Sequence, residues 1–359
     1  MDNYTDYNDN KKVTYHEQTD ISNILKLRAV LKTLPDFCKD YFRAMDPLTT
    51  TKTRISYAYD IRIFFQFLLD ENPAFKDCSM KDFTVDVLDQ LKAVDIEEYQ
   101  EYLKVYKNGD KTETNGERGL KRKISALRSF YAYYYKHEFI QTNPTVLVDV
   151  PKTHEKSIIR LDADEVAMLL DYIEHCGDEL TGQKRVYYEK TKERDLAIVT
   201  LLLGTGIRVS ECVGLDVEDV DFKNNGIKVT RKGGNEMVVY FGPEVEKALK
   251  RYLEVRAGIT PLAGHEHALF YSTQRKRIGI QAVENLVKKY AKAITTTKKI
   301  TPHKLRSTYG TTLYQETGDI YLVADVLGHR DVNTTKKHYA AMDDARRRKA
   351  ATAVHLRED

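Results

Sequence analysis

The chain has 359 residues, 42% of them apolar and 31% charged, with a formal net charge of +3. That describes a globular protein of two or three domains and excludes a disordered or fibrous one. No apolar run is long enough to span a bilayer, and residues 1–20 are polar and acidic, so neither a membrane anchor nor a signal peptide is expected. Cys38, Cys78, Cys176 and Cys212 are scattered, with no Cys-x-x-Cys pair; this signals neither a zinc site nor a disulfide framework and fits the cytoplasm.

After a polar tail at 1–20, residues 21–45 read as helical, with Pro47 marking a break. From Thr53 to Asp70 the residues Tyr57, Ile61, Phe64, Phe65 and Leu68 recur at helical spacing and define one buried face. One or two further helices fit Val85 to Tyr106, and Asn108 to Gly116 reads as a polar loop. The next helix is basic: Arg118, Lys121, Arg122, Lys123, Arg128 and Lys136 occur with no acid between Arg118 and Lys136. Its buried stripe is Leu120, Ile124, Leu127, Tyr131 and Tyr134, which leaves Lys121, Arg122, Lys123 and Arg128 on the outer face. The aromatic residues from Phe130 to Tyr135 are expected in the core, not stacked on bases.

Asn143-Pro144 closes this block, and 146–158, with Pro151, reads as an extended linker. A second block opens with the acidic turn Asp162 to Glu165, suited to a helix N-terminus. Arg194 to Gly204 is almost wholly apolar and is expected as a buried central helix. Gly226–Arg231 and Met237–Phe241 flank Lys232-Gly233-Gly234-Asn235, a hairpin pattern. The remainder reads as helical, with a second basic cluster at Arg346, Arg347, Arg348 and Lys349. Either basic cluster alone reads as a solvated helix face; two in one chain favour contact with DNA. The expected fold is mainly α with a small β-sheet: a helical domain at 21–145, a linker at 146–158, a mixed α/β domain at 159–345 and a tail at 346–359.

The chemistry is carried by a few residues of the second block. Transfer of a phosphodiester to a protein hydroxyl needs a nucleophile, cationic donors for the non-bridging oxygens, and an acid for the leaving oxygen. Arginine suits the second task because its planar fork grips phosphate oxygens and keeps its proton. Arg208 follows Gly204-Thr205-Gly206, and Glu211, three residues on, can orient it from behind; a local salt bridge at a helix start is the plainer reading of that pair. His303-Lys304-Leu305-Arg306 follows Thr301-Pro302, which places His303 and Arg306 on one face of a helix's first turn. That turn has free N–H groups that welcome phosphate. Lys232, beside Arg231 at the hairpin tip, can reach a leaving oxygen as general acid, although hairpin tips carry lysine routinely. Tyr339 lies ten positions beyond His329, in a chain with 24 tyrosines. A phenol with a pKa of about 10 is a poor nucleophile until cations surround it.

The ordered set Arg208, Lys232, His303-x-x-Arg306, Leu327-Gly328-His329 and Tyr339 resembles the tyrosine recombinase (phage integrase) family. Lys192-Glu193-Arg194-Asp195 and Val229-Thr230-Arg231-Lys232-Gly233-Gly234 are most similar to its Xer branch, in particular the single-recombinase XerS type. The resemblance is tight over 160–345 and loose over 25–145, where that family places a helical core-binding domain. It implies that Arg208 and Arg306 clamp the scissile phosphate, that Lys232 is the general acid and His303 the acid/base partner, and that His329 is a hydrogen-bond donor. Tyr339 would then form a 3′-phosphotyrosyl bond, with Glu211 behind the site. Ser307 departs from relatives that carry a second histidine after the arginine.

Exchange of one phosphodiester for another conserves the bond energy, so no cofactor, metal or nucleotide is expected. Consistently, no Gly-x-x-x-x-Gly-Lys-Ser/Thr loop occurs. DNA contacts are expected from Arg118, Lys121, Arg122, Arg128 and Arg231. The implied partner is double-stranded DNA with inverted-repeat arms, bound by a homodimer on one site and a homotetramer in the synapse. A DNA translocase or accessory factor is a further possible partner, and no membrane is. Chromosome or plasmid dimer resolution is the expected role. The rivals are a mobile-element integrase, a type IB topoisomerase-like relaxing enzyme and a non-catalytic DNA-binding module. The tail after Tyr339 is expected to pack on a neighbouring protomer.

Overall fold

A computed structural model of the chain describes residues 14–152, 154, 159–231, 234–329 and 331–332. The chain divides into two compact units, with the boundary between Lys156 and Ser157.

In the first unit, helix α1 (Tyr15–Leu31) starts inside the stretch expected to be a tail. Thr14 caps it: its hydroxyl accepts the Glu17 N–H at 3.3 Å while Glu17 accepts the Thr14 N–H at 2.8 Å. The single helix expected over 21–45 is two, because Pro35 has no N–H to donate and the chain restarts as α2 (Cys38–Ala44). Helix α3 (Thr51–Glu71) buries Ile61, Phe64, Phe65 and Leu68, as the spacing predicts. Short helices α4 (Val87–Gln90) and α5 (Ala93–Tyr102) follow.

The polar loop expected at 108–116 is largely a hairpin, β1 (Val105–Asn108) paired with β2 (Lys111–Thr114). Every residue of β2 is exposed, so no apolar alternation announces the strand; only Asn108-Gly109 signals the turn. Helix α6 (Glu117–Lys136) then lays Ile124, Leu127, Phe130, Tyr131 and Tyr134 into the core. There Phe130 meets Tyr41 and Phe65 edge to face, and Tyr131 meets Phe64 in the same manner. Aromatic pairs of this kind add about 0.5–1.5 kcal/mol beyond their buried area.

A charged pair sits inside this core. Asp60 on α3 is 2% exposed and pairs with Arg122, while Lys123 Nζ lies 3.5 Å from its other oxygen. Burial raises the Asp60 carboxyl above its ordinary value, with the two cations pulling the other way. Lys123 was expected on the outer face of α6; it is buried because Asp60 offers it a partner there. Replacing Asp60 by Ala strands a buried ammonium, so urea unfolding should show a loss of about 3–5 kcal/mol. Adding Lys123→Met should recover most of that loss. A loss below about 1 kcal/mol, the worth of a surface pair, would refute the buried-pair account.

The second unit begins with α7 (Ala163–His175), where Glu165 accepts the Asp162 N–H at 2.8 Å. Helix α8 (Gly182–Thr205) starts well before the apolar run that announced it: its first turns are polar, and burial is near-continuous from Arg194 to Leu202. It packs against α7, α10 (Pro243–Ala257) and α12 (Pro302–Thr317). The charges inside it are satisfied. Arg194 donates to Asp195 at 2.6 and 3.0 Å, and Tyr290 of α11 (Ile280–Ile294) donates to the other Asp195 oxygen at 3.0 Å. After α9 (Val209–Gly214) comes an antiparallel sheet, β3 (Val220–Asp221), β4 (Gly226–Thr230) and β5 (Glu236–Tyr240), in that order. Helix α13 (Ile320–Leu327), capped by Asp319, lies next to α12.

Candidate active site

The site is assembled where three chain turns meet the carboxyl end of α13. The last carbonyls of any helix lack intrahelical partners and carry partial negative charge, so they attract cations. Gly328 ends α13 in the left-handed conformation (φ +61°), which lets the His329 N–H return to the Ala324 carbonyl at 2.9 Å. Three guanidinium groups donate to three successive carbonyls there. Arg231 reaches Val326 O at 2.7 Å, Arg306 reaches Leu327 O, and Arg208 reaches Gly328 O at 3.2 Å. His329, half-buried, follows directly.

Each arginine is delivered by a distinct local device. Helix α8 ends at Gly206, left-handed at φ +62°, where a Cβ would overlap the Tyr309 ring. The chain then swings so that Arg208 caps α9. Glu211, only 4% exposed, accepts the Arg208 N–H at 2.8 Å and its Nη1 at 2.7 Å. The two bonds lock backbone and side chain together, and about a third of the Arg208 side chain stays exposed. Arg306 lies in the first turn of α12, 4% exposed, and its Nη1 donates to Gly206 O at 2.6 Å. One guanidinium therefore ties the end of α8 to the end of α13. His303 shares the first turn of α12 and is exposed.

Arg231 was expected to face DNA; it is instead buried, 9% exposed, with its fork turned inward to Val326. Burial holds its guanidinium below the ordinary arginine range, reinforced by Arg208 and opposed by Glu211 and Asp325. Lys232 and Tyr339 lie outside the described residues, as does the basic cluster Arg346 to Lys349. Of the cations expected on α6, Arg118 and Lys121 are exposed, and Arg122 is about half exposed while pairing with Asp60. Arg128 departs from the expectation: its Nε and Nη2 donate to Thr145 O and Val148 O at 3.1 and 2.5 Å, so its fork holds the chain that follows α6.

The spacing of His303 and Arg306, and of Arg208 and Glu211, was visible in sequence. The main-chain acceptors that gather the arginines were not, since a carbonyl has no sequence identity. Leu327-Gly328-His329 carried their one signal, a glycine closing an apolar helical run.

A partly exposed arginine beside a buried one, next to His329 and with His303 on the helix that carries the buried arginine, suits one task, holding a phosphate diester while proton transfers occur beside it. The profile described as the Phage integrase family matches residues 159–346. Tyrosine recombinase XerS of Lactococcus lactis subsp. cremoris is 32% identical over 338 residues, covering 88% of this chain and 93% of its own. Tyrosine recombinase XerC of Caldanaerobacter subterraneus subsp. tengcongensis is 34% identical over 315 residues, covering 85% and 82%. In fold the chain is similar to the XerH site-specific recombinase bound to palindromic difH substrate, with TM-score 0.61 and 19% identity over 95% of this chain and 90% of that one. The fold is that of the tyrosine recombinases, a family of enzymes that transfer DNA strands. The chain belongs to the phage integrase family, and its similarity to XerS-type recombinases extends over most of its length.

Proposed function

We propose that the protein is a site-specific recombinase that cuts and rejoins DNA at a short inverted-repeat site through a 3′-phosphotyrosyl intermediate. The observation that carries this reading is the convergence of Arg208 and Arg306 on Leu327 O and Gly328 O, immediately before His329. In the proposed reaction those arginines clamp the scissile phosphate and His329 donates a hydrogen bond to it. The Tyr339 phenol oxygen attacks phosphorus, giving its proton to His303. The bond from phosphorus to the 5′ oxygen breaks, and that oxygen takes a proton from the Lys232 ammonium. Attack by a 5′ hydroxyl of the partner strand reverses each step, so bond energy is conserved and no cofactor takes part.

Two protomers bind the arms of one site and four form the synapse. Solved relatives bear on this: XerH bound to difH substrate, and a lambda integrase dimer on a core site. Arg118, Lys121 and Arg122 on α6 supply phosphate contacts, so affinity falls steeply with salt. The proposed role is resolution of chromosome or plasmid dimers in the cytoplasm, with a translocase or accessory factor gating it. Among the described residues no helix is long and apolar enough to cross a membrane.

The test is covalent trapping on a genomic fragment library, followed by sequencing of the junctions and peptide mapping of the adduct. Expected is one inverted-repeat sequence linked to Tyr339 through its 3′ phosphate. Adducts spread over unrelated sequences would favour topoisomerase-like relaxation, and no adduct would favour a DNA-binding module.

A further inference from the structure

Resting on the recombinase reading, we infer that Arg231 is a positioning residue for the proton transfer assigned to Lys232, because it anchors the root of the hairpin to the same helix end that organises Arg208 and Arg306. Both backbone groups of Arg231 are engaged across the hairpin: its N–H donates to Asn235 O at 2.8 Å, and its carbonyl accepts the Gly234 N–H at 3.0 Å. Its side chain runs the other way, into the domain, where Nη2 donates to Val326 O at 2.7 Å beside Met237 Sδ. The guanidinium packs against Gly328, where a Cβ would overlap Nη1 and crowd Cζ. Arg231 thus anchors the hairpin root at backbone and side chain alike, one residue before Lys232.

A packing role alone accounts poorly for this residue. Arg231 Nε and Nη1 are buried without a hydrogen-bond partner among the described residues. Buried donors left unmatched cost free energy that an apolar side chain of similar length avoids. A bridge between the hairpin and the turn that carries His329 needs the guanidinium, because only a long donor reaches Val326 O from β4. General acids act within hydrogen-bond reach of the leaving atom, so an error at the hairpin root is carried to the proton donor. The expected signature is therefore selective: loss of Arg231 impairs protonation of the leaving 5′ oxygen and spares DNA binding.

The test uses the duplex recovered by covalent trapping, in its natural form and with sulfur replacing the bridging 5′ oxygen. A thiolate leaves without protonation, so the sulfur duplex bypasses the step assigned to Lys232. Wild-type adduct on the natural duplex is the control for the recombinase reading, and its absence would overturn both readings. With that adduct in hand, Arg231→Met is expected to slow its formation about 10²-fold, the low end of what proton transfer contributes. On the sulfur duplex the variant should run near the wild-type rate, with unchanged gel-shift affinity on either. Equal slowing on both duplexes, or none on the natural one, would overturn the positioning role. Arg231→Lys keeps the cation without the fork. It should show a smaller defect with the same sulfur rescue, and it decides the matter if the Met variant unfolds.

Discussion

Tyr339→Phe is expected to abolish covalent capture of DNA while leaving gel-shift affinity within about twofold of wild type, since phosphate contacts spread over the surface supply most of the binding. The phenol oxygen is the atom that joins the strand in the proposed reaction, and phenylalanine differs by that atom alone. Four tyrosines of the described core are poorly suited to replace it. Tyr99, Tyr131, Tyr134 and Tyr290 are buried, and burial pushes their hydroxyls to higher pKa, away from the phenolate. Several of these hydroxyls also donate inward, Tyr134 to Phe37 O and Tyr290 to Asp195. The measurement is the yield of detergent-resistant adduct on the trapped duplex, with Tyr135→Phe, a change at an exposed tyrosine, as the matched control. Adduct from the Phe variant at the wild-type level would eliminate Tyr339 as the nucleophile.

Where local chemistry and tertiary packing agree, the sequence was enough to read the structure. Helices α3 and α6 carry apolar stripes at helical spacing and are found there, and β4 and β5 flank the hairpin where alternation and glycine place them. The first turns of helix α1 read as a tail because residues 15–20 are polar or aromatic and none of them is buried, so no apolar stripe marks the helix there. The start of α8 is not legible either, because in the polar lead-in of 182–193 only Tyr188 and Thr191 are buried, too few to mark a periodic apolar face.

At the site, Arg208 with Glu211 and His303 with Arg306 could be named because three-residue spacing is visible in one dimension. Arg231 and Arg128 misled because a basic residue in a basic stretch reads as a surface charge. What decides its direction is a carbonyl far off in sequence, Val326 O for Arg231 and Val148 O for Arg128. Lys123 misled likewise, through Asp60 on another helix.

The dependence of the site on distant carbonyls makes Arg306 its most sensitive arginine. Two of its bonds join the end of α8, at Gly206 O, to the end of α13, at Leu327 O, inside a part of the second unit where it is 4% exposed. Arg306→Ala removes a phosphate clamp of the proposed mechanism and leaves those carbonyls unmatched, at about 1–3 kcal/mol for each buried group. It also leaves a void where the side chain lay. The expected result is a thermal midpoint lowered by several degrees together with cleavage slowed by at least about 10²–10³, the usual cost of one preorganised donor. Arg306→Lys separates the two losses. An ammonium restores charge, but not the planar fork that reaches both carbonyls and keeps donors for phosphate. The Lys variant should therefore regain part of the thermal stability and little of the rate, measured as adduct formation on the trapped duplex. Wild-type cleavage by Arg306→Lys would mean that charge alone suffices, and that the bridge between the two helix ends has no part in holding the phosphate.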